Sequence, residues 1–111
     1  MRFRGKDENG NWVFGGIDGG GEFIISHYQF IPVICDTITR STGFQDINGE
    51  EIYEGDIIEN RYDKQGNSRE EILWDEQRGK FCTKRIVDGL VSDCFADTIK
   101  RTMVIVGTIF D

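Results

Sequence analysis

Proline and histidine are almost absent from this sequence. One proline, Pro32, and one histidine, His27, stand against 14 glycines in 111 residues. Scarce proline with abundant glycine is typical of a chain that turns often through positive φ and otherwise forms strands. Any histidine-based acid–base catalysis would depend on His27, and the sequence has no G-x-S-x-G nucleophile motif to support it. We therefore interpret His27 as a residue at a strand edge.

Paired cysteines are also lacking. Cys35, Cys82 and Cys94 are odd in number and far apart, with no C-x-x-C motif. A disulfide framework is not expected, and we predict a reducing cytoplasmic location. Together with His27 they reach the ligand count of a structural zinc site, but zinc modules bring their ligands in closely spaced pairs. We interpret the three cysteines as small buried thiols and expect no metal and no cofactor.

Long apolar runs are missing as well. No stretch approaches the length needed to span a bilayer. The basic segment at residues 1–6 has no apolar stretch behind it, so it does not match a secretory signal. We expect no membrane association.

Basic side chains are in the minority. The chain has 13 Lys and Arg against 20 Asp and Glu, a net charge of −7, which argues against binding of duplex DNA through phosphate contacts. Residues 35–60 hold seven acidic residues and one basic residue, a net charge of −6, whereas residues 61–85 have a net charge of +2. Opposite patches on one small protein permit self-association, and we predict a homo-oligomer.

The size and patterning predict one mainly β domain over residues 1–111. The chain is 38% hydrophobic and 12% aromatic, enough for one modest core. Asn9-Gly10 and Asn48-Gly49 predict hairpins with type I′ turns. Short, closely spaced strands predict a β-rich α+β fold: a small SH3-like barrel or a sandwich built from hairpins, with at most one short helix near residues 92–100, capped by Ser92. The β-branched residues at 102–110 predict a buried strand.

The segment at residues 41–58, STGFQDINGEEIYEGDII, resembles the signature of the YopX family, T-G-L-x-D-x-N-G-x-x-I-Y-E-G-D-I. Phe44 replaces the usual Leu, and Arg40 stands where the family often has Gln. Residues 3–15 and 104–110 resemble the family's first strand pair and closing strand. The resemblance implies a β-rich fold and a small phage or prophage protein of unassigned function, and it brings no set of catalytic residues.

Two groups of polar residues are candidate sites. The first is an acidic cluster that could hold Mg²⁺ or Ca²⁺ for phosphodiester hydrolysis: Glu50, Glu51, Glu54, Asp56 and Glu59. It lacks the D-x-[DN]-x-[DN]-G loop, and a solvated face is favoured. A second group could stack on and neutralise a single nucleic-acid strand, although two core tryptophans and an ordinary charged hairpin are favoured. Its members are Trp12, Trp74, Phe81, Arg78, Lys80, Lys84 and Arg85. The glycine-rich stretch at residues 15–21 is interpreted as a hairpin tip rather than a phosphate cradle.

The functional hypothesis is a non-catalytic binding or self-assembly protein that contacts a host or phage protein. The alternatives are a nucleic-acid-binding accessory protein, an acidic DNA mimic that inhibits a host protein and, last, a metal-dependent hydrolase. Replacing Gly49 by Val is expected to destabilise its turn. The predicted binding residues are Asp46, Glu50, Glu51, Tyr53, Glu54, Asp56, Trp74, Arg78 and Lys80.

Overall fold

The computed structural model describes residues 2–21, 23–26 and 29–111. His27, interpreted above as a strand-edge residue, lies outside the described residues. The chain divides into two compact units, Met1–Ser41 and Thr42–Asp111. The interpretation of residues 1–111 as a single domain stays a prediction.

The first unit is an antiparallel meander. Strands β1 (Phe3–Lys6), β2 (Trp12–Ile17), β3 (Phe23–Ser26) and β4 (Gln29–Pro32) pair in chain order. A 3₁₀ turn (Cys35–Thr37) then leads into β5 (Thr39–Gln45), whose first residues lie beside β1. The guanidinium of the buried Arg4 lies 4.1 Å from the centre of the Trp12 ring, so this tryptophan stacks on a side chain of its own unit.

The second unit begins within β5, which continues into a hairpin with β6 (Glu51–Tyr53). A five-stranded antiparallel sheet follows, in the order β10-β9-β8-β7-β11. Its strands are β7 (Asp56–Asn60), β8 (Glu70–Asp75), β9 (Lys80–Arg85), β10 (Val91–Asp93) and β11 (Met103–Thr108), and the helix α1 (Ala96–Thr102) precedes the last of them. The core of this unit is a cluster of aliphatic side chains: Ile52, Ile58, Ile72, Ile99 and Met103.

The predicted mainly β fold with antiparallel hairpins and one short helix is confirmed. Among the residues that the structure describes, the strands of neither sheet close into a barrel. The predicted cap of the helix is wrong, because Ser92 belongs to β10 and Phe95 occupies the N-cap without a side-chain hydrogen bond. Asp97 in the first turn and Lys100 in the last suit the helix dipole. No helix within the described part of the chain is long and apolar enough to cross a membrane.

The prediction of a buried strand at residues 102–110 needs correction. The strand β11 exists, but it is the edge strand of its sheet. Its register against β7 shifts between Ile105 and Gly107, so Val106 lies in a bulge and is 44% exposed. Apolar composition alone cannot distinguish an edge strand from a central one, because the edge still buries one of its faces.

Candidate functional site

Both Asn-Gly hairpins are confirmed, but their turns differ from the predicted type I′. In the signature loop the Gly49 N–H donates to the Asp46 carbonyl at 3.0 Å, and the Asp46 N–H donates to the Glu50 carbonyl at 2.9 Å. The tight turn is therefore centred on Ile47 and Asn48, and Gly49 follows it at a φ of 79°. This is the three-residue hairpin loop that ends in a glycine bulge.

The aspartate that opens this loop fixes its shape. Asp46 Oδ1 accepts hydrogen bonds from the backbone N–H groups of Asn48 at 2.9 Å and Glu50 at 3.0 Å. Asp7 does the same in the first hairpin, where its Oδ1 accepts from Asn9 and Asn11, each at 2.9 Å. The pattern D-x-N-G-x thus builds the same loop twice.

Asp46 differs from Asp7 in a third, long-range bond. Its second oxygen accepts from the backbone N–H of Ile105 in β11 at 3.2 Å, and the N–H of Ile47 donates to the carbonyl of Met103 at 2.9 Å. Asp46 is 1% exposed. The carboxylate predicted as a binding group therefore fastens the β5–β6 hairpin to the closing strand of its unit.

The second half of the signature forms a tight corner between β6 and β7. Asp56, also 1% exposed, accepts a hydrogen bond from the Tyr53 N–H at 2.8 Å, as a carboxylate at such a bend is expected to do. Gly55 is buried at a φ of 91°, and a Cβ there would lie 2.9 Å from the Phe110 ring. The Tyr53 hydroxyl donates to the Glu51 carboxylate. These residues hold the backbone of the corner in place.

Few carboxylates of the acidic segment remain available to a ligand. Glu50 is exposed, while Glu51 and Glu54 are half-buried. Glu59 forms an ion pair with Arg69 at 3.1 Å. No group of three His, Cys, Asp or Glu side chains suited to a metal ion is present among the residues described. With Asp46 and Asp56 buried, the segment presents less negative charge to solvent than its sequence suggests.

The basic candidates on the β8–β9 hairpin are neutralised within their own sheet. Arg78 contacts Asp75 at 2.7 Å and Asp93 at 3.1 Å, and Lys80 contacts Asp93 at 3.1 Å. The hydrogen bond from Arg78 lowers the pKa of Asp75, and that from Lys80 lowers the pKa of Asp93. Trp74 packs edge-on against Phe81, with ring centres 4.8 Å apart. The cations face carboxylates here, which disfavours a phosphate-binding face.

A polar cleft of about 420 Å³ lies in the second unit, and of its lining residues only Arg85 belonged to a predicted group, the basic residues of the proposed nucleic-acid surface. Burial raises the pKa of Glu70 despite the nearby Arg85, and Arg85 also contacts Asp88 at 3.0 Å. Asp63 has a lowered pKa because its carboxylate accepts bonds from Ser68 and other loop groups. The cleft is lined by Asn60, Asp63, Asn67, Ser68, Glu70, Arg85 and Met103. Its charged groups already have partners within the protein.

The second unit exposes several large apolar side chains near one of its turns. Five large side chains around the β9–β10 turn are each between 52% and 66% exposed. The turn beneath them is well ordered by hydrogen bonds: the Arg85 N–H donates to the Leu90 carbonyl at 2.8 Å, and the Leu90 N–H donates to Asp88 at 3.0 Å. We name this the apolar turn surface, and its members are Ile86, Val87, Leu90, Val91 and Phe95.

The sequence around this turn indicates the surface. Asp88-Gly89 is a turn dipeptide, and two aliphatic residues stand on each side of it, at 86–87 and at 90–91. Turn tips ordinarily carry polar residues, because they project into water. An apolar sequence on both flanks of a turn therefore indicates an exposed apolar surface.

The prediction of three buried thiols is wrong for Cys35, which is exposed in the first unit. In the second unit Cys82 is buried and Cys94 is half-buried, and all three cysteines are free thiols. Burial raises the pKa of Cys94 to about 12, with a smaller contribution from Cys82. Burial also raises the pKa of Cys82. The two thiols of the second unit are thus poor nucleophiles.

Comparison with known proteins agrees with the signature. A search of curated proteins gives no match. The family described as YopX protein matches residues 5–111, nearly the whole chain and parts of both units. The matched range includes the Asp46 loop and the Gly55 corner. The carboxylates and glycines of these two segments stabilise the fold of the second unit. The chain belongs to the YopX family.

Proposed function

We propose that this YopX-family protein is a phage or prophage protein that acts in the cytoplasm by binding another protein, without catalysis. The observation that supports the proposal is the apolar turn surface, on which five large side chains are more than half exposed. Large apolar side chains that are exposed near one another in the chain point to an interaction site, whereas singly exposed ones are common on any protein surface.

The order of the turn strengthens this proposal. Asp88 accepts from the Leu90 N–H and pairs with Arg85 at 3.0 Å, and its pKa is lowered by the bond from Leu90. A turn held in this way presents Ile86 and Val87 in one arrangement. Binding then loses little conformational entropy, which favours affinity.

The carboxylates of the signature support a binding role without catalysis. A general acid or base needs an oxygen free to reach its substrate. The oxygens of Asp46 accept three backbone hydrogen bonds, and an Asp56 oxygen accepts from Tyr53. Asp46 and Asp56, the most buried acidic residues of the signature, therefore have a structural role.

A photo-crosslinking amino acid at position 87 tests the proposal, with the same amino acid at position 106 as the control. Both positions hold exposed valines of the second unit, but Val106 is outside the apolar turn surface. We expect protein adducts from position 87 and far fewer from position 106. Equal adducts from both positions, or none from position 87, would contradict the proposal. Adducts removed by nuclease would instead favour the nucleic-acid alternative.

A further inference from the structure

Two asparagines of this chain stand directly before a glycine in an exposed loop. We propose that Asn9 is a site of spontaneous deamidation in the folded protein, and that Asn48, in a loop of the same local geometry, is protected from this reaction. The inference is independent of the proposed function, because neither loop belongs to the apolar turn surface. It assigns a covalent modification to the first unit and leaves the signature loop of the second unit unmodified.

The reaction needs only water and the groups that an Asn-Gly pair supplies. The backbone nitrogen of the glycine attacks Cγ of the asparagine side chain, and its proton passes to the leaving NH₂ group, which departs as ammonia. Water then opens the resulting succinimide ring at one of its two carbonyl groups, which gives either aspartate or isoaspartate. A glycine has no Cβ that would hinder the attack, so Asn-Gly reacts faster than other pairs that begin with asparagine.

The two pairs have the same local structure. Gly10 and Gly49 have φ angles of 82° and 79°. Both glycines and both asparagines are exposed, so the water that opens the succinimide can reach either site. The two pairs therefore form a matched comparison for the effect of anchoring the loop.

Both loops restrain the attacking nitrogen in the same way. The Gly10 N–H donates to the Asp7 carbonyl at 3.1 Å, and the Gly49 N–H donates to the Asp46 carbonyl at 3.0 Å. A nitrogen engaged in this bond cannot pass its proton to the leaving group until the bond opens. The rate of deamidation in the folded protein therefore depends on how often each loop opens.

The first loop is held closed by local bonds alone. In the part of the chain that the structure describes, the hydrogen bonds of residues 7–11 all run within the loop. The nearest bonds to another segment lie one residue earlier, where the Lys6 carbonyl accepts from the Ile34 N–H at 2.8 Å. Opening at Asn9 therefore breaks no long-range hydrogen bond.

The second loop is also bonded to β11. The Ile47 N–H donates to the Met103 carbonyl at 2.9 Å. The Asp46 carboxylate accepts from the Ile105 N–H at 3.2 Å. These bonds hold the two residues that precede Asn48, so opening of this loop also disturbs its contact with the sheet. One additional bond to a charged acceptor makes such an opening at least about tenfold rarer.

Incubation of the full chain at pH 8, followed by digestion and mass spectrometry, tests the inference. In the folded chain we expect Asn9 to be converted at least about tenfold faster than Asn48. In concentrated urea both loops are open, and we expect the two rates to become similar. Asp46→Asn removes the acceptor of the Ile105 N–H and should speed conversion at Asn48. The matched variant Asp7→Asn should leave the rate at Asn48 unchanged.

Several results would overturn the inference. Equal rates in the folded wild type would do so, as would faster conversion at Asn48 or an Asn9 that stays intact while the unfolded chain is converted. A ratio that persists unchanged in urea would assign the difference to the flanking sequence instead of the anchoring. The wild type in buffer and in urea keeps the test decisive if Asp46→Asn does not fold. The crosslinking experiment at position 87 bears only on the proposed function.

Discussion

Replacing Asp46 by Asn removes an acceptor from the centre of the second unit. The carboxylate accepts three backbone hydrogen bonds, from Asn48 and Glu50 on one oxygen and from Ile105 on the other. An amide has a single acceptor oxygen, so its NH₂ group must face one of these donors. If the amide oxygen keeps the two loop bonds, the Ile105 N–H loses its partner in a buried site.

The magnitude follows from the chemistry of the lost bond. A hydrogen bond to a charged acceptor contributes about 1.5–3 kcal/mol, and an unsatisfied buried donor costs about 1–3 kcal/mol more. We expect Asp46→Asn to lower the free energy of unfolding by about 3 kcal/mol, a large part of the roughly 5–15 kcal/mol typical of a small protein. Urea unfolding gives this value, and amide hydrogen exchange at Ile105 reports the lost bond directly.

Asp7→Asn is the matched control. Asp7 opens a loop of the same geometry, with Oδ1 accepting from Asn9 and Asn11. An amide oxygen can keep both bonds, and Asp7 is half-buried rather than fully buried, so we expect a loss of about 1 kcal/mol or less. Equal losses in the two variants, or a loss below about 1 kcal/mol for Asp46→Asn, would refute the assignment of Asp46 as the link to β11.

Three further predictions concern other parts of the chain. In Gly55→Ala the new Cβ would lie 2.9 Å from a ring carbon of Phe110, at a φ of 91°, and we expect the free energy of unfolding in urea to fall by about 2–4 kcal/mol. Gly49→Ala, where the space is open, should cost only about 1 kcal/mol. Equal losses in the two variants would contradict the clash at Gly55. Because burial raises the pKa of Glu70, its ionisation costs stability as the pH rises through the folded-state pKa. Glu70→Gln should therefore match the wild type below about pH 4 and gain on it at pH 7, and a loss at pH 7 that is absent at low pH would contradict this sign. Iodoacetamide at pH 8 should label the exposed Cys35 quickly and Cys94, with a pKa of about 12, far more slowly; mass spectrometry after digestion measures both rates, and equal rates would contradict the burial of Cys94.

Local patterns predicted the hairpins because their determinants lie within five residues. The order Asp-x-Asn-Gly supplies a side-chain acceptor and a residue that adopts positive φ, and both loops form where Asn-Gly indicated. The turn type was wrong because Asp7 and Asp46 accept from the backbone two and four residues later, which centres each tight turn one residue earlier. The general position of α1 was also predictable, but Ser92 joined a strand because β9 pairs with it.

Long-range features were beyond local patterns. The burial of Asp46 depends on Ile105, which is 59 residues away along the chain, and the exposure of Val106 depends on the register against β7. The predicted contact residues included Arg78 and Lys80, whose charges are balanced by Asp93. Asp93 lies in β10, which comes later in the chain and pairs with β9. Charge counted along a sequence therefore overstates the charge that a surface presents.

One measurement tests most directly whether the signature builds the fold while the β9–β10 turn makes the contact. The photo-crosslinking amino acid at Glu50, the exposed carboxylate of the signature loop, is compared with the same group at Val87. We predict protein adducts from position 87 and none above background from position 50. Adducts from position 50 with none from position 87 would place the contact on the signature and contradict the account.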